Sequence, residues 1–363
     1  MNVRRPLTLL ATLLVALGLT ACGERDEPGG SAPPPPTEEL SLLLDYHPNA
    51  NHVGIYKAEA DGRFDEAGLK VRIQQPSDPA TVLQQVAAGR VDIAISYQPE
   101  VMLARARNTD VVAFASLVQR PLTSLISLPH AKISKPADLK GKTVGTAGIE
   151  YQTAYLDSIL EQAGVDPKDV KRVNVGSGLN QALIGKRVDA TLGAFWNYEG
   201  VELARLKRKP VVKPVDELGV PTYDELVFVA RADTLKDKES AVRRFVRAVA
   251  QGYTAVKRDP VRGVAPLLKA NRDLDGDLQE EVVEKTLPAF FPKDDRKPWG
   301  WLDFDRWATY GQWMVDKGLL KRRIALDPVL TTDFLPGEGA GEGRKTPGGK
   351  ANPSEKLPGY RGS

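Results

Sequence analysis

The chain has 363 residues, with 50 Lys or Arg, 47 Asp or Glu and a formal net charge of +3. This near balance gives no electrostatic reason to expect a nucleic-acid partner. One Cys and three His in the whole chain exclude a disulfide framework and cysteine-rich metal sites.

The N-terminus has the features of a lipoprotein export signal. The basic pair Arg4-Arg5 precedes an apolar run over residues 6–17. That run is short for a bilayer span but suits a signal peptide. Leu19-Thr20-Ala21-Cys22 follows and resembles a bacterial lipobox. We expect residues 1–21 to be removed and Cys22 to be acylated, which lowers the formal charge from +3 to +1 because the two arginines are lost.

Two alternatives remain for this segment. It could be an ordinary secretory signal with a chance cysteine, and the arginine pair leaves both the general secretory route and the twin-arginine route open. An acylated Cys22 leaves no thiol for disulfides, metal ligation or nucleophilic catalysis. The expected location is therefore the extracytoplasmic side of the cell membrane, with the protein held there by its lipid.

The folded body is expected between two unstructured segments. Residues 22–36 end in four prolines and predict a partly stiff tether. Residues 336–363 are rich in Gly, Pro and charge, which predicts disorder because too little apolar surface can be buried. Residues 37–335 are enough for two α/β lobes.

Strand-like apolar runs and amphipathic helical stretches alternate along the body, which predicts an α/β fold with mainly parallel sheets. Glycines that follow several of the helical stretches indicate where those helices end. In chain order the predicted elements are a strand at 40–45, a helix from 48 to 59, strands at 71–74 and 92–96 separated by a helix at 81–88, a strand at 142–146 and a helix at 150–162.

One pattern occurs twice, about a hundred residues apart. Ala88-Gly89-Arg90-Val91-Asp92 leads into an apolar strand that ends in Tyr97-Gln98-Pro99-Glu100. Gly185-Lys186-Arg187-Val188-Asp189 leads into another, which ends in Phe195-Trp196-Asn197-Tyr198-Glu199. Ligands of open α/β sheets bind at the carboxyl ends of strands. Two such ends facing each other would form a cleft with aromatic walls and acidic acceptors, unless the repeat is a coincidence between two common helix-strand units.

Several segments together resemble a known family. The chain is similar to substrate-binding proteins for thiamine pyrimidine precursors, the bacterial relatives of fungal thiamine pyrimidine synthase, within a superfamily that also binds nitrate, sulfonates and riboflavin. The similarity covers about residues 39–330. The segments that carry it are Leu44-Asp45-Tyr46-His47-Pro48-Asn49-x-Asn51-His52-x-Gly54-Ile55-Tyr56, Gly62-Arg63-Phe64, Ala67-Gly68-Leu69, the two repeated units, and Leu139-Lys140-Gly141-Lys142-x-Val144-Gly145.

The resemblance implies a type II periplasmic-binding-protein fold, α/β in class, with two lobes joined by a hinge of two crossings. The first lobe would comprise residues 37–124 and the returning chain at 229–335, and the second lobe would comprise residues 125–228. The resemblance implies crossings near residues 123–128 and 227–230. Ligand binding closes lobes of this kind.

The resemblance and the strand-end chemistry together imply a cleft for a flat aminopyrimidine. A carboxylate can pair with the ring nitrogen and the exocyclic amine, and we favour Glu199 over Glu100 for that role. Aromatic rings would stack on the ligand faces, and His52 is expected on the first helix, facing the cleft. The expected ligand-binding residues are Asp45, Tyr46, Asn51, His52, Tyr97, Gln98, Glu100, Gly148, Tyr151, Trp196, Asn197 and Glu199.

Several of these residues have structural alternatives. Trp196 could be a core residue that supports its strand end, and Glu199 could cap the following helix. Asp45 could orient the ligand or cap the helix that begins near Asn49, and Asn51 could hold the turn. The tryptophans between residues 299 and 313 keep helical spacing and are expected in the core.

Catalysis is the alternative from another functional class, because the fungal relatives make the pyrimidine. In the fungal enzymes a lysine holds the cofactor pyridoxal phosphate, and a nearby histidine is consumed as a substrate. The resemblance places both residues in the segment that matches residues 93–100, where this chain has Ser96 and Glu100. Their cysteine-rich iron site matches residues 223–228, which contain no cysteine. A Schiff base needs an amine, so we expect no enzymatic activity, no cofactor, no catalytic residues and no metal.

A second ligand class also stays open. Gly145-Thr146-Ala147-Gly148 precedes a helix, and backbone amides in such a turn can hold an anion such as an alkylsulfonate or nitrate. Riboflavin is a further alternative within the superfamily. The partners we expect are the small aromatic ligand, an ABC permease with its ATPase subunits, and the membrane through the lipid anchor, with the protein itself a monomer.

Overall fold

The computed structural model describes residues 37–337. Strands β1 to β10 within this range are Glu38–Leu43, Leu69–Gln74, Ile93–Ser96, Val112–Val118, Thr123–Ser127, Thr143–Thr146, Lys171–Asn174, Ala190–Phe195, Val211–Pro214 and Leu226–Ala230. Helices α1 to α12 are Val53–Ala60, Arg63–Glu66, Val82–Ala87, Gln98–Ala106, Glu150–Gln162, Leu179–Ile184, Glu199–Arg205, Ala232–Asp237, Glu239–Arg258, Pro260–Ala270, Gly276–Thr286 and Phe304–Asp316. The predicted signal peptide, tether, lipidation site at Cys22 and C-terminal tail lie outside the described residues, apart from the first two residues of the tail.

The strands form two five-stranded sheets with the same plan. Sheet A has the order β2-β1-β3-β10-β4, and sheet B has the order β7-β6-β8-β5-β9. In each sheet one strand, β10 or β5, runs antiparallel to both of its neighbours. The other four strands share one direction, so the α/β class is confirmed. We call the elements around sheet A lobe 1 and those around sheet B lobe 2.

The chain passes between the sheets twice. It leaves sheet A after Val118 and enters sheet B at Thr123, then leaves sheet B after Pro214 and returns to sheet A at Leu226. The crossings are therefore residues 119–122 and 215–225. The predicted positions of the crossings, 123–128 and 227–230, differ from the observed ones. Those predicted residues are buried, and most of them pair with neighbouring strands as β5 and β10.

The repeated sequence pattern corresponds to a repeated structural role. Asp92 precedes β3, and its Oδ2 accepts hydrogen bonds from the Ser41 amide and hydroxyl at 2.8 Å each. Asp189 precedes β8, and its Oδ2 accepts the Thr143 amide at 2.8 Å. In both lobes the aspartate thus binds the backbone of the neighbouring parallel strand. The repeated sequence pattern thus makes the same kind of contact in each lobe.

Helices of the returning chain complete lobe 1. The 20-residue helix α9 packs on α1, and the two approach so closely that a Cβ at Gly252 would overlap the Gly54 carbonyl oxygen. In α12, Trp307 is fully buried, as expected for the tryptophan-rich segment. The helix predicted at 150–162 is observed with those bounds as α5. Among residues 37–337, no helix is both long and apolar enough to cross a bilayer.

Candidate functional site

A narrow cavity lies where strand ends of the two lobes meet. Lobe 1 contributes residues after β1 and β3, and lobe 2 contributes residues after β6 and at the end of β8. The cavity volume is only about 20 Å³. The space is therefore a slot between closely spaced walls. Six expected site residues line it, namely Asp45, Tyr46, Asn51, Tyr97, Tyr151 and Glu199.

Asp45 is held by two hydrogen-bond donors at the lobe 1 wall. The Tyr97 hydroxyl donates to Asp45 Oδ2 at 2.9 Å, and His52 Nε2 lies 2.8 Å from Oδ1. His52 Nδ1 accepts the Asn49 amide at 3.2 Å, so the ring proton is on Nε2 and is donated to Asp45. His52 therefore lies fully buried behind Asp45 and does not face the cavity, contrary to expectation.

Glu199 forms the acidic part of the lobe 2 wall. It is the first residue of α7, and its Oε2 accepts the amide of Phe195, the last residue of β8, at 2.8 Å. Burial raises the pKa of Glu199 to about 7, although the amide hydrogen bonds oppose that shift. Glu199 therefore binds the backbone of the preceding strand end and also lines the cavity, while α7 has no side-chain cap hydrogen bond.

Glu100 occupies the equivalent position in lobe 1 but does not line the cavity. Its Oε2 accepts the Ser96 hydroxyl at 2.5 Å, one helical turn back along the chain. Burial raises the pKa of Glu100 to about 7. The preference for Glu199 as the ligand-facing acid agrees with this geometry, and Glu100 remains a buried acid behind the wall.

Aromatic rings form much of the remaining wall. The rings of Tyr97 and Tyr151 lie 5.4 Å apart between centroids and are tilted by 49°. Phe195 and Tyr198 line the lobe 2 side. The Tyr46 hydroxyl donates to the Ser177 carbonyl, which joins lobe 1 to lobe 2 at the cavity margin. A flat apolar ligand face would therefore meet rings on both lobes.

Trp196 is directed away from the cavity. Its Nε1 donates to the Pro121 carbonyl at 3.0 Å, and its own amide donates to Leu122 at the same distance. The Arg120 guanidinium lies over the ring, 4.7 Å from its centroid. The side chain thus supports the first crossing, as in the structural alternative, and it does not line the cavity.

Asn197 connects the lobes rather than lining the cavity. Its Nδ2 donates to Asn51 Oδ1 at 2.8 Å and to Thr286 Oγ1 at 2.6 Å, and the residue is fully buried. Asn51 does line the cavity, and its carbonyl accepts the Tyr253 hydroxyl at 2.6 Å. The asparagine pair therefore fixes one wall residue from the opposite lobe.

Gln98 also has a structural partner in place of the cavity. Its Oε1 accepts the Asp224 amide at 2.8 Å, which ties the end of β3 to the second crossing. Asp224 in turn accepts the Trp307 indole nitrogen at 2.7 Å and pairs with Arg306. The strand end in lobe 1 is thus anchored to α12 through the crossing.

The turn after β6 is not an available anion cradle. The Ala147 amide donates to Gln152 Oε1 at 2.9 Å, and the Gly148 amide donates to Thr146 Oγ1 at 3.3 Å. Gly148 does not line the cavity; its φ of +84° and the nearby Asn174 side chain, which a Cβ would overlap, explain the glycine. Both amides are therefore used within the turn.

Sequence reasoning did not single out Gln152 and Glu225. Gln152 lines the cavity beside Gly193, whose φ of +112° and lack of Cβ make room for it. Glu225 is fully buried and accepts the Leu122 amide at 2.6 Å, the Thr123 amide at 2.8 Å and the Tyr223 hydroxyl at 2.9 Å. It therefore joins the two crossings, although burial raises its pKa.

The cavity wall has a one-sided charge. Asp45 and Glu199 are its acidic residues, and none of the described residues that line it is Lys or Arg. Within residues 37–337, no group of three or more His, Cys, Asp or Glu is arranged to hold a metal ion. The arrangement suits a ligand that donates hydrogen bonds or carries a proton.

Comparisons with known proteins agree with this architecture. The family described as NMT1/THI5 like matches residues 49–262. A putative thiamine biosynthesis protein from Haemophilus influenzae is 33% identical over 290 residues, which cover 80% of this chain and 90% of that protein. A formylaminopyrimidine-binding protein from Halalkalibacterium halodurans is 32% identical over 327 residues, which cover 89% and 98%. The 4-amino-5-hydroxymethyl-2-methylpyrimidine phosphate synthase of Schizosaccharomyces pombe is more distant, at 25% over 268 residues, covering 71% and 77%.

Solved structures identify the fold. The alkanesulfonate-binding protein SsuA from Xanthomonas axonopodis superposes with a TM-score of 0.64 at 16% identity, covering 82% of this chain and 99% of that one. A Candida albicans protein with the generic periplasmic binding protein fold superposes with a TM-score of 0.62 at 16% identity, covering 84% and 99%. The predicted fold is confirmed, and these identities carry no information on the ligand.

Proposed function

Since the chain belongs to the NMT1/THI5-like family, we propose that it is a lipid-anchored substrate-binding protein that captures a thiamine pyrimidine precursor for an ABC importer. The relatives reported above from Haemophilus influenzae and Halalkalibacterium halodurans, at 33% and 32% identity, have names that concern thiamine or an aminopyrimidine. The permease, the ATPase and the anchor at Cys22 are parts of this proposal, as are the lobe boundaries and a hinge at the two crossings.

One observation carries the choice of ligand. The cavity combines two carboxyl groups with aromatic walls and lacks Lys and Arg among its described lining residues. An aminopyrimidine supplies what such a wall needs, namely a basic ring nitrogen, an exocyclic amine that donates hydrogen bonds, and two flat faces. A sulfonate or nitrate anion would instead face two acids, with the turn amides already used.

Each wall residue has a distinct part in the proposed binding. Glu199 would share a proton with the ring nitrogen and accept a hydrogen bond from the amine. Asp45 would accept from a further donor on the ligand, since Tyr97 and His52 hold its carboxyl group in a fixed orientation. Tyr97 and Tyr151 would contact the ring face.

We propose a binding role rather than a catalytic one. The position that the fungal relatives use for a cofactor-bearing lysine is Ser96, which donates to the buried Glu100. Neither hydroxyl nor carboxyl can form a Schiff base with pyridoxal phosphate. The segment that matches their cysteine-rich iron site contains Glu225, which holds the two crossings together.

A ligand panel on the full chain tests the proposal. We expect 4-amino-5-aminomethyl-2-methylpyrimidine and its N-formyl derivative to raise the melting temperature, and taurine, nitrate and riboflavin to leave it unchanged. The Glu199→Gln variant should lose this response, and Glu161→Gln, on the exposed face of α5, should keep it. Stabilisation by taurine or nitrate alone would refute the ligand class, and a pyridoxal adduct would reopen catalysis.

A further inference from the structure

The edge of lobe 2 opposite the cavity collects positive charge. Near this edge a row of paired residues runs across the sheet, namely Lys171 with Thr143, Val144 with Ala190, Ala190 with Ser127, and Ser127 with Val211. The cavity residues Ala147 and Phe195 lie at the other ends of the same strands. Four connections reach this edge, at residues 129–142, 163–171, 185–189 and 206–210. We call the surface of these connections the basic pole.

The basic pole is far more positive than the chain as a whole. Its four connections contain eleven Lys or Arg and four Asp, against a formal charge of +3 for all 363 residues. Of the eleven cations, only Lys140 lies within 4.0 Å of a carboxylate among residues 37–337, at 3.4 Å from Asp169. Asp138 and Asp189 instead accept backbone amides. Most of the positive charge is therefore free to act on a partner.

Backbone conformation provides a second observation. Five non-glycine residues of the described chain have positive φ, and four of them are lysines of the basic pole, with φ between 51° and 56°. These are Lys132, Lys186, Lys207 and Lys209. A side chain in this left-handed region costs roughly 1 kcal/mol that glycine would avoid. Lysines that served solubility alone could occupy neighbouring unstrained positions. The lysines are therefore placed at these turns although the left-handed backbone costs conformational free energy.

We propose that the basic pole binds the anionic headgroups of a phospholipid membrane. Nine of its eleven cations are lysines, which are compact point charges that suit a diffuse anionic surface. Protein interfaces are depleted of lysine and enriched in Arg and aromatic residues, so a protein partner fits less well. Leu206, 51% exposed beside Lys207, adds an apolar group that can enter the headgroup layer. This contact is independent of Cys22 and of the ligand cavity.

Vesicle flotation tests the proposal on the expected mature chain, residues 22–363, carrying Cys22→Ser, which lacks the apolar signal segment and cannot be acylated. The vesicles contain either phosphatidylcholine alone or phosphatidylcholine with 30% phosphatidylglycerol (a composition of about one anionic lipid in three, enough for a polybasic surface to respond). The test variant reverses four charges of the basic pole: Lys186→Glu, Arg187→Glu, Lys207→Glu and Arg208→Glu. The control variant reverses four exposed charges of lobe 1, with the same change in net charge: Lys236→Glu, Lys269→Glu, Arg272→Glu and Arg322→Glu.

The parent protein and the control should float with the anionic vesicles, and the test variant should bind them at least about 100-fold more weakly. High salt should release the parent protein because it screens the charges. Acetylation of surface lysines, read by mass spectrometry, should show that vesicles protect Lys186 and Lys207 but not Lys236. Equal binding of both variants together with no protection of Lys186 would overturn the proposal. Retention on immobilised polyglutamate without vesicle binding would also overturn it, in favour of an acidic protein partner.

Discussion

Glu225 in the second crossing accepts the backbone amide of Thr123, where the first crossing ends, at 2.8 Å. The same carboxyl group also accepts the Thr123 hydroxyl at 2.8 Å and the Leu122 amide at 2.6 Å. One buried acid therefore satisfies donors of both connections between the lobes. The two crossings are therefore hydrogen-bonded to each other through one side chain.

Replacing this acid should destabilise the fold. In Glu225→Gln an amide NH₂ competes for the place of an acceptor, which leaves a buried backbone donor unsatisfied. We expect a loss of about 2–4 kcal/mol in the free energy of unfolding, measured by urea denaturation. Glu217→Gln changes an exposed acid of the same crossing and should cost less than about 0.5 kcal/mol. Equal stability of the two variants would contradict this role.

The affinity for an aminopyrimidine should depend on pH through Glu199. Burial raises the pKa of this carboxyl group to about 7, so the free protein holds the proton below pH 7 and loses it above. The proposed pair with the ring nitrogen contains one proton. Above pH 7 that proton is taken up from solvent on binding, and the affinity should fall roughly tenfold per pH unit. Calorimetric titrations between pH 6 and pH 9 measure this, and a flat profile in the unmodified chain would count against Glu199.

Removing one hydroxyl should weaken the proposed orientation of Asp45. In Tyr97→Phe, Asp45 loses the donor at 2.9 Å while the ring remains in the wall. We expect about tenfold weaker binding of the aminopyrimidine with a small change in stability. Tyr56→Phe removes a hydroxyl of lobe 1 outside the cavity and should leave the affinity unchanged. If both variants bind the aminopyrimidine equally well, the Tyr97 hydroxyl is not required to orient Asp45 for binding.

Trp196 should matter for stability and not for the ligand. Trp196→Phe keeps an aromatic ring and loses the hydrogen bond from Nε1 to the Pro121 carbonyl. We expect a loss of about 1 kcal/mol in unfolding free energy and an affinity within twofold of the parent value. Denaturation measures the stability and calorimetry measures the affinity, so the two effects can be separated. A tenfold loss of affinity at unchanged stability would show that Trp196 contacts the ligand.

The lipid anchor has its own test. Cells labelled with radioactive palmitate should incorporate label into the parent protein, because Cys22 would be acylated after removal of residues 1–21. Cys22→Ser should abolish the labelling. Label that persists in this variant would show that the lipobox interpretation is wrong.

The sequence predicted the α/β fold and half of the expected wall, for a physical reason. Strand ends and helix starts have clear signals, so the ends of β3 and β8 could be located from the sequence. Which way each side chain turns is a different matter. Within the segment Phe195 to Glu199, the residues Phe195, Tyr198 and Glu199 line the cavity while Trp196 and Asn197 turn away. Spacing in a turn does not determine that choice.

Long-range contacts account for the remaining differences. His52 lies behind Asp45 because its ring bridges Asp45 and the Asn49 amide. Glu225 bonds Thr123 from 102 positions away, and Asn197 reaches Asn51 across 146 positions. No local pattern encodes such partners, because they exist only once both lobes have formed. Buried acids of this kind are visible in a sequence only as residues without an evident role.

The position of β10 in sheet A has a consequence for the order in which the chain becomes structured. This strand lies between β3 and β4, yet it follows the whole of lobe 2 along the chain. A chain that ended at Glu225 would contain every strand of lobe 2 and leave β3 and β4 without the strand that joins them. During synthesis or export, the strands of lobe 2 can therefore pair before those of lobe 1. Until β10 is added, the edges of β3 and β4 that face it remain unpaired.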